Sequence, residues 1–217
     1  YLWVNTTPPV LMYEVLMKAY NKGADRYWLL NVGDIKPMEL GIKTFFDLAW
    51  NVNDYDIQTI NHHQSQYLGQ LFGLAYTSRF QNILDIYYRL AWSRKPEFMG
   101  WEREWDTKEY TGLRDTEYSF QNYGEAQIRL KEYELLSDNV KSLMNELPKA
   151  SRDAFFEIIG HPVMASYQMN RKFLMAQLNH EQFKQGNLEQ ANWAARQSQE
   201  AFDSIATLNR QYNSVAN

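Results

Sequence analysis

The chain has 217 residues, of which 45% are hydrophobic and 15% aromatic, and this content of large apolar side chains excludes general disorder. The 22 lysines and arginines against 26 aspartates and glutamates give a net charge of −4, so we expect no nucleic-acid partner. No apolar run reaches the roughly 18–20 residues of a membrane span, so we expect no membrane partner, and the lack of cysteine excludes disulfides and thiol nucleophiles.

The first fifty residues show the pattern of alternating strands and helices. Residues 2–5 are typical of a short strand, and residues 10–20 carry apolar side chains at helical spacing. The run 26–32 has strand length and no polar alternation, which is typical of a strand buried on both faces of a parallel sheet. A second helix is predicted over 39–50. This order predicts a parallel α/β unit with two strands over residues 1–52.

The remainder of the chain has helical periodicity and no convincing strand. A bundle of about five helices is therefore predicted for residues 53–217, and the whole fold is predicted to be mainly α. The predicted helices cover residues 55–76, 80–92, 123–147, 151–159 with a continuation past a proline to about 183, and a last helix from 187.

Between the bundle helices lies a long segment, 97–122, that is rich in aromatic residues without a helical period. Three roles remain open for these side chains. They could anchor the segment on the bundle, form a contact between two copies of the chain in a homodimer, or stack against sugar rings. Anchoring and the interface are favoured. The aromatic residues in question are Trp101, Trp105, Tyr110 and Tyr118.

The strongest candidate for chemistry is the polar segment 31–37, directly after the predicted buried strand. The carboxyl ends of parallel strands are where ligands bind in α/β folds. Asp34 could act as a general base or hold a sugar hydroxyl, Lys36 could pair with an anionic group, and Asn31 could orient either one. In the alternative, Asp34 only caps the next helix and Lys36 is a surface charge.

Two further residues complete the predicted site. Asn5 has the same position after the first predicted strand, although capping of the following helix is the simpler interpretation of its segment. Glu39 opens the second helix, where a carboxylate complements the helix dipole. His62 and His63 are adjacent and would point about 100° apart on a helix, so the sequence predicts no metal site and no cofactor.

The segment 23–39, GADRYWLLNVGDIKPME, resembles the signature of glycoside hydrolase family 115. Shorter segments resemble the same family in the same order along nearly the whole chain. They are residues 3–8, 45–51, 94–97, 152–156 and 161–163.

The resemblance implies an inverting xylan α-1,2-glucuronidase, which removes glucuronic acid or its 4-O-methyl ether from side chains of glucuronoxylan. It implies that residues 1–52 are the last β/α units of a TIM-type barrel and that 53–217 form the helical bundle. It also implies Asp34 as a catalytic residue, with substrate-binding roles for Asn5, Asn31, Lys36 and Glu39. Because xylan lies outside the cell, the parent protein is expected to be secreted or periplasmic.

Three functions therefore remain open. One is a segment of a glycosidase that is inactive by itself, and another is a non-catalytic helical module for interaction or oligomerisation. The third is a member of the same family whose substrate is not glucuronoxylan. Convergence of Asn5, Asn31 and Asp34 at the end of two strands would favour the enzyme. If the Asp34 carboxylate accepted hydrogen bonds only from backbone N–H groups of its own loop, the module would be favoured.

Overall fold

The computed structural model describes residues 4–100 and 114–215, and all regular secondary structure in these ranges is helical. Short 3₁₀ turns and one π-helical turn, Phe156–Gly160, connect the longer helices. None of the helices in these two ranges combines the length and apolarity that a membrane crossing requires. The helices are α1 (Pro9–Tyr20), α2 (Glu39–Trp50), α3 (Thr59–Phe72), α4 (Thr77–Ser93), α5 (Glu125–Glu146), α6 (Lys149–Phe155), α7 (His161–Lys184) and α8 (Leu188–Val215).

The prediction of two parallel strands, and with it of a partial (β/α) barrel, was wrong for the described residues. Residues 27–32 have no regular secondary structure, and their backbone groups bond to no other described backbone group. Tyr27 and Leu29 are 80% and 76% exposed, whereas Trp28 is partly covered by the rings of Tyr20 and Phe45. A strand needs a neighbour to complete its backbone hydrogen bonds, and the described chain supplies none beside this run.

The predicted helical bundle is confirmed. Its main core is formed by apolar side chains of α3, α4, α5 and the run from α6 to α7, and Leu40 of α2 belongs to the same core. The helix that carries Glu39 is therefore packed into the bundle. The boundary between residues 52 and 53 stays a prediction. The buried members of the core are Leu40, Leu68, Phe72, Phe80, Ile83, Leu84, Tyr87, Tyr88, Leu90, Tyr133, Leu136, Val140, Leu143, Leu147, Phe155, Ile159 and Val163.

A π-helical turn joins α6 to α7 without interrupting the helical path. Pro162, at the start of α7, has no N–H to donate to the preceding turn, and π turns replace the usual bonding pattern with i→i+5 bonds. The predicted continuation of the helix past this proline is therefore seen, with a change of helix type at the turn. Gly160 permits the turn to be tight, since a Cβ there would lie 3.1 Å from Cδ2 of Phe156.

Candidate functional site

A cavity of about 640 Å³ lies between α1, α2 and the loop that precedes α2. Two residues predicted for the site, Asn5 and Asn31, both line it. They therefore share one space although 26 positions separate them and the described residues form no sheet. Most of the remaining lining is apolar. The lining residues are Asn5, Thr7, Leu11, Met12, Val15, Leu16, Leu30, Asn31, Val32, Gly33, Met38, Gly41, Ile42 and Phe45.

A glycine on α2 allows the close approach that builds one wall of this cavity. A Cβ on Gly41 would lie 3.3 Å from Cε of Met12 on α1 and 3.5 Å from Oδ1 of Asn5. The distance to Met12 is tight, so an alanine at position 41 would displace the end of the Met12 side chain, whereas the distance to Asn5 is ordinary van der Waals contact. Gly41 therefore lets Met12 of α1 pack closely against α2 at this wall of the cavity.

A buried chain of hydrogen bonds connects Asn5 to side chains of α4, α3 and α2. Its Nδ2 donates to the Tyr88 hydroxyl at 3.5 Å, and that hydroxyl donates to Oε1 of Gln64 at 2.6 Å. Gln64 Nε2 then donates to the Thr44 hydroxyl at 3.0 Å. Buried polar groups of this kind specify one arrangement of the side chains. The simpler interpretation of the Asn5 segment is not seen, because Pro8 precedes α1 and no side chain caps that helix.

Asp34 is exposed, and the structure records no hydrogen bond or ion pair from its side chain to any described residue. The predicted alternative in which it caps the next helix is not observed, since the N-cap of α2 is Met38 and no side chain bonds there. Asp34 also does not bond to the backbone of its own loop. Its carboxylate is available to a ligand.

Lys36 is not the isolated surface charge of the alternative interpretation. Its ammonium donates to Oε2 of Glu157, on the π-helical turn between α6 and α7. The Glu157 side chain is 11% exposed, while that of Lys36 is 44% exposed. The lysine thus bridges the polar loop and the bundle, with part of its surface still open to solvent.

Glu39, the first residue of α2, lies close enough to this pair to be influenced by both charges. Burial raises the pKa of Glu39, its own backbone N–H and Lys36 act in the opposite direction, and Glu157 raises it further. Its Oε2 atom is buried and has no hydrogen-bond partner among the described residues. A carboxyl group with a raised pKa can carry a proton nearer neutral pH and donate it.

The five predicted site residues thus fall into three places. Asn5 and Asn31 line the cavity, Lys36 and Glu39 form a charged cluster with Glu157, and Asp34 stands exposed on the loop between them. We call Lys36, Glu39 and Glu157 the charged cluster. The catalytic and substrate-binding roles of the five predicted residues stay predictions.

A second polar group near the site was missed by the sequence analysis. His63 Nε2 lies 2.7 Å from Oδ2 of Asp47, and Lys43 pairs with the same oxygen. Burial acts to raise the pKa of Asp47, but the hydrogen bonds from Lys43 and His63 outweigh it and lower that pKa. Within residues 4–100 and 114–215 no three histidine or acidic side chains are grouped so as to hold a metal ion.

The aromatic segment is described only in part. Trp101, Trp105 and Tyr110 lie outside the described residues, so the homodimer contact proposed for them stays a prediction. Tyr118 is partly buried, and its ring lies 4.7 Å from the guanidinium carbon of Arg129. Tyr118 therefore anchors the segment on the bundle.

Comparison with known proteins agrees with the resemblance. The sequence model of glycosyl hydrolase family 115 matches residues 1–98. The solved structure of BtGH115A, described as a novel family GH115 4-O-methyl-α-glucuronidase with specificity for decorated arabinogalactans, is 36% identical and superposes with a TM-score of 0.84. The chain belongs to glycoside hydrolase family 115. No curated protein matches it.

The match to this family 115 structure covers 99% of the present chain and 27% of BtGH115A, so the chain spans about a quarter of that relative. The region matched by the family model contains the cavity, Asp34 and the Lys36 and Glu39 members of the charged cluster. Glu157 lies beyond it, within the part that the structural superposition covers.

Nothing in the sequence around Glu157 marks it for a role in the site. It lies 121 positions from Lys36, inside a segment with ordinary helical apolar spacing. The local signal that could have drawn attention to it is Gly160 followed by Pro162, because glycine and proline within a helical pattern indicate a change in helix geometry. Such π turns are frequent at functional sites.

Proposed function

We propose that this chain is part of an enzyme that removes glucuronic acid, or its 4-O-methyl ether, from the side chains of an extracellular polysaccharide. The observation that supports this most directly is the loop 31–39. It presents an exposed Asp34, which bonds to no other described residue, and a partly exposed Lys36 beside a cavity lined by two asparagines. The loop lies within the region matched by a glycoside hydrolase family.

The chemistry of an acidic sugar fits these groups. An ammonium such as that of Lys36 pairs with a carboxylate, and asparagine amides donate to and accept from sugar hydroxyls. Asp34 is proposed as a catalytic carboxylate. The raised pKa of Glu39 favours its protonated carboxyl, which is proposed to bind the uronate by donating a hydrogen bond to the carboxylate of the sugar. Asn5 and Asn31 are proposed to bind hydroxyls at the cavity.

Inversion is proposed for the reaction, following the family. Inverting glycosidases need two carboxyl groups about 6.5–9.5 Å apart, with room between them for the attacking water. The chain spans 27% of BtGH115A, and we propose that the longer protein supplies further groups of the site. The 217-residue segment alone is accordingly proposed to be inactive.

Two polysaccharides are candidates for the substrate. Glucuronoxylan follows from the resemblance, whereas BtGH115A is described as specific for decorated arabinogalactans. BtGH115A is described as a 4-O-methyl-α-glucuronidase, so the proposed uronate-binding groups suit the acidic sugar removed from either polymer. Xylan lies outside the cell, which supports the proposal of a secreted or periplasmic enzyme.

The test uses the full-length enzyme, assayed for released glucuronic acid on glucuronoxylan and on a glucuronic-acid-decorated arabinogalactan, with the anomer of the product followed by NMR. We expect Asp34→Ala and Asp34→Asn to lower kcat/KM by at least about a hundredfold, the usual effect of losing a group that acts in the transition state. The matched control is Asp138→Asn on α5, where an exposed aspartate pairs with Lys141 and activity should be unchanged. Near-normal activity of both Asp34 variants would remove Asp34 from the site, and no glucuronic acid release by the wild type from either polymer would refute the proposed function.

A further inference from the structure

The contact between Lys36 and Glu157 joins two distant parts of the chain at the proposed site, and the inference drawn from it rests on the proposed function. Lys36 belongs to the loop that carries Asp34, and Glu157 belongs to the helical bundle. The glutamate is almost fully covered, while the lysine keeps part of its surface exposed. The covered partner therefore acts as a fixed acceptor for a side chain that reaches towards solvent.

Packing on either side of Glu157 fixes its position relative to the loop. The neighbouring residues Phe156 and Ile159 on the same π-helical turn are buried. Ile159 belongs to the same core as Leu40, which follows Glu39 at the start of α2. Because interiors are close-packed, this shared core holds the carboxylate and the base of the loop in one geometry.

An unanchored lysine would be a poor ligand for the carboxylate of a sugar. Its four-carbon stem has many rotamers, and part of this freedom is lost each time the ammonium is ordered by a ligand. Contact with Glu157 uses one of the three N–H groups and leaves the others for a second acceptor. Ordering the side chain in advance reduces the cost of binding.

We propose that Glu157 is a positioning residue for Lys36, which it holds in place to receive the carboxylate of the uronic acid. Glu157 does not touch the sugar in this arrangement and acts through the lysine. The proposal extends the substrate-binding machinery from the loop into the helical bundle.

The experiment compares Glu157→Ala, Glu157→Gln and Lys36→Met, and the double variant Glu157→Ala/Lys36→Met, in the full-length enzyme. Glu157→Ala should raise KM about twofold to twelvefold while kcat stays within about twofold, because freeing one long side chain costs about 0.5–1.5 kcal/mol and each factor of ten corresponds to about 1.4 kcal/mol. Glu157→Gln keeps an oxygen acceptor of the same reach and should recover part of that loss. In the Lys36→Met background, Glu157→Ala should cause no further rise in KM, since its effect operates through the lysine.

The controls separate positioning from general stability. Glu132→Gln removes the partner of Arg89 in an exposed pair between α4 and α5 and should leave both kinetic parameters unchanged. Thermal melting of each variant shows whether it is folded at the assay temperature, and Glu157→Gln preserves the side-chain volume if Glu157→Ala does not fold.

Three results would overturn the proposal. They are an unchanged KM in a folded Glu157→Gln or Glu157→Ala enzyme, a loss confined to kcat, or effects of Glu157→Ala and Lys36→Met that multiply in the double variant. Each of these requires an active wild type. A wild type that releases no glucuronic acid refutes the proposed function instead, so the two failures are distinguishable.

Discussion

Arg129 on α5 offers a test of how the bundle is held together, because its guanidinium is buried and bonds only neutral acceptors among the described residues. Arg129 is 3% exposed. It donates to the carbonyls of Leu90 and Arg94 at 3.0 and 2.7 Å, to the Ser93 hydroxyl at 2.8 Å and to Oδ1 of Asn170 at 2.6 Å. Two of the acceptors are carbonyls at the C-terminal end of α4, where a positive charge also complements the helix dipole.

The expected cost of Arg129→Met follows from the acceptors it would abandon. Asn170 is buried, and leaving its Oδ1 without a donor costs about 1–3 kcal/mol. The Leu90 carbonyl keeps a bond from the Ser93 hydroxyl, but the guanidinium bonds to Leu90, Ser93 and Arg94 are lost as well and add to this cost. Removing a buried charge offsets part of this, so we expect the free energy of unfolding to fall by about 3 kcal/mol. Arg129→Lys should lose nearly as much, since an ammonium cannot reproduce the fork of the guanidinium.

Urea denaturation of the chain measures this loss. With a slope of about 2–3 kcal/mol per molar urea, the midpoint of Arg129→Met should fall by about 1 M or more. The control is Arg171→Met, whose ion pair with the 57% exposed Glu200 should contribute less than about 1 kcal/mol. If Arg129→Met lost no more stability than this control, or if Arg129→Lys were as stable as the wild type, the reasoning about abandoned acceptors would be refuted.

Two further predictions concern stability. Burial lowers the pKa of His161 despite the opposing bond to Asn209, so the folded state binds fewer protons than the unfolded state, and stability should decline as pH falls below about 6.5. Urea titrations between pH 7.5 and 5 should show a shallower decline for His161→Gln, and parallel curves would contradict the argument. Gly69→Ala should destabilise α3 by about 1–2 kcal/mol although alanine favours helices, because its Cβ would lie 2.2 Å from Oγ1 of Thr77. Adding Thr77→Ala should restore part of this loss in thermal melts, and a stabilising Gly69→Ala would show that the contact relaxes without cost.

The helices could be predicted from the sequence because their signal is local. Apolar spacing predicted helices over 10–20 and 39–50, and the structure has Pro9–Tyr20 and Glu39–Trp50. The run 26–32 misled the prediction because apolar content alone does not show whether a partner strand is present. Its side chains instead alternate between solvent and the surfaces of α1 and α2.

Of the candidate site, the sequence could indicate only the loop, because the polar composition of a loop is a local signal. The loop composition indicated Asn31 and Asp34, and Asp34 is indeed exposed and unbonded among the described residues. The contact of Lys36 with Glu157 depends on how the bundle folds back over 121 positions, and no spacing rule connects the two residues. Sequence therefore located the loop and missed what holds it.

This long-range contact changes the role of the helical bundle in the proposed enzyme. If residues after 52 only supported the loop at a distance, the base of α2 would not need to enter the bundle core, and Lys36 would extend into solvent. Instead Leu40 is buried in that core and Glu157 bonds the lysine, so movement of the π-helical turn would displace the ammonium directly. A close-packed core transmits such displacements. Substitutions that disturb the turn, even far from Asp34, should therefore change the KM for acidic sugars before they change kcat.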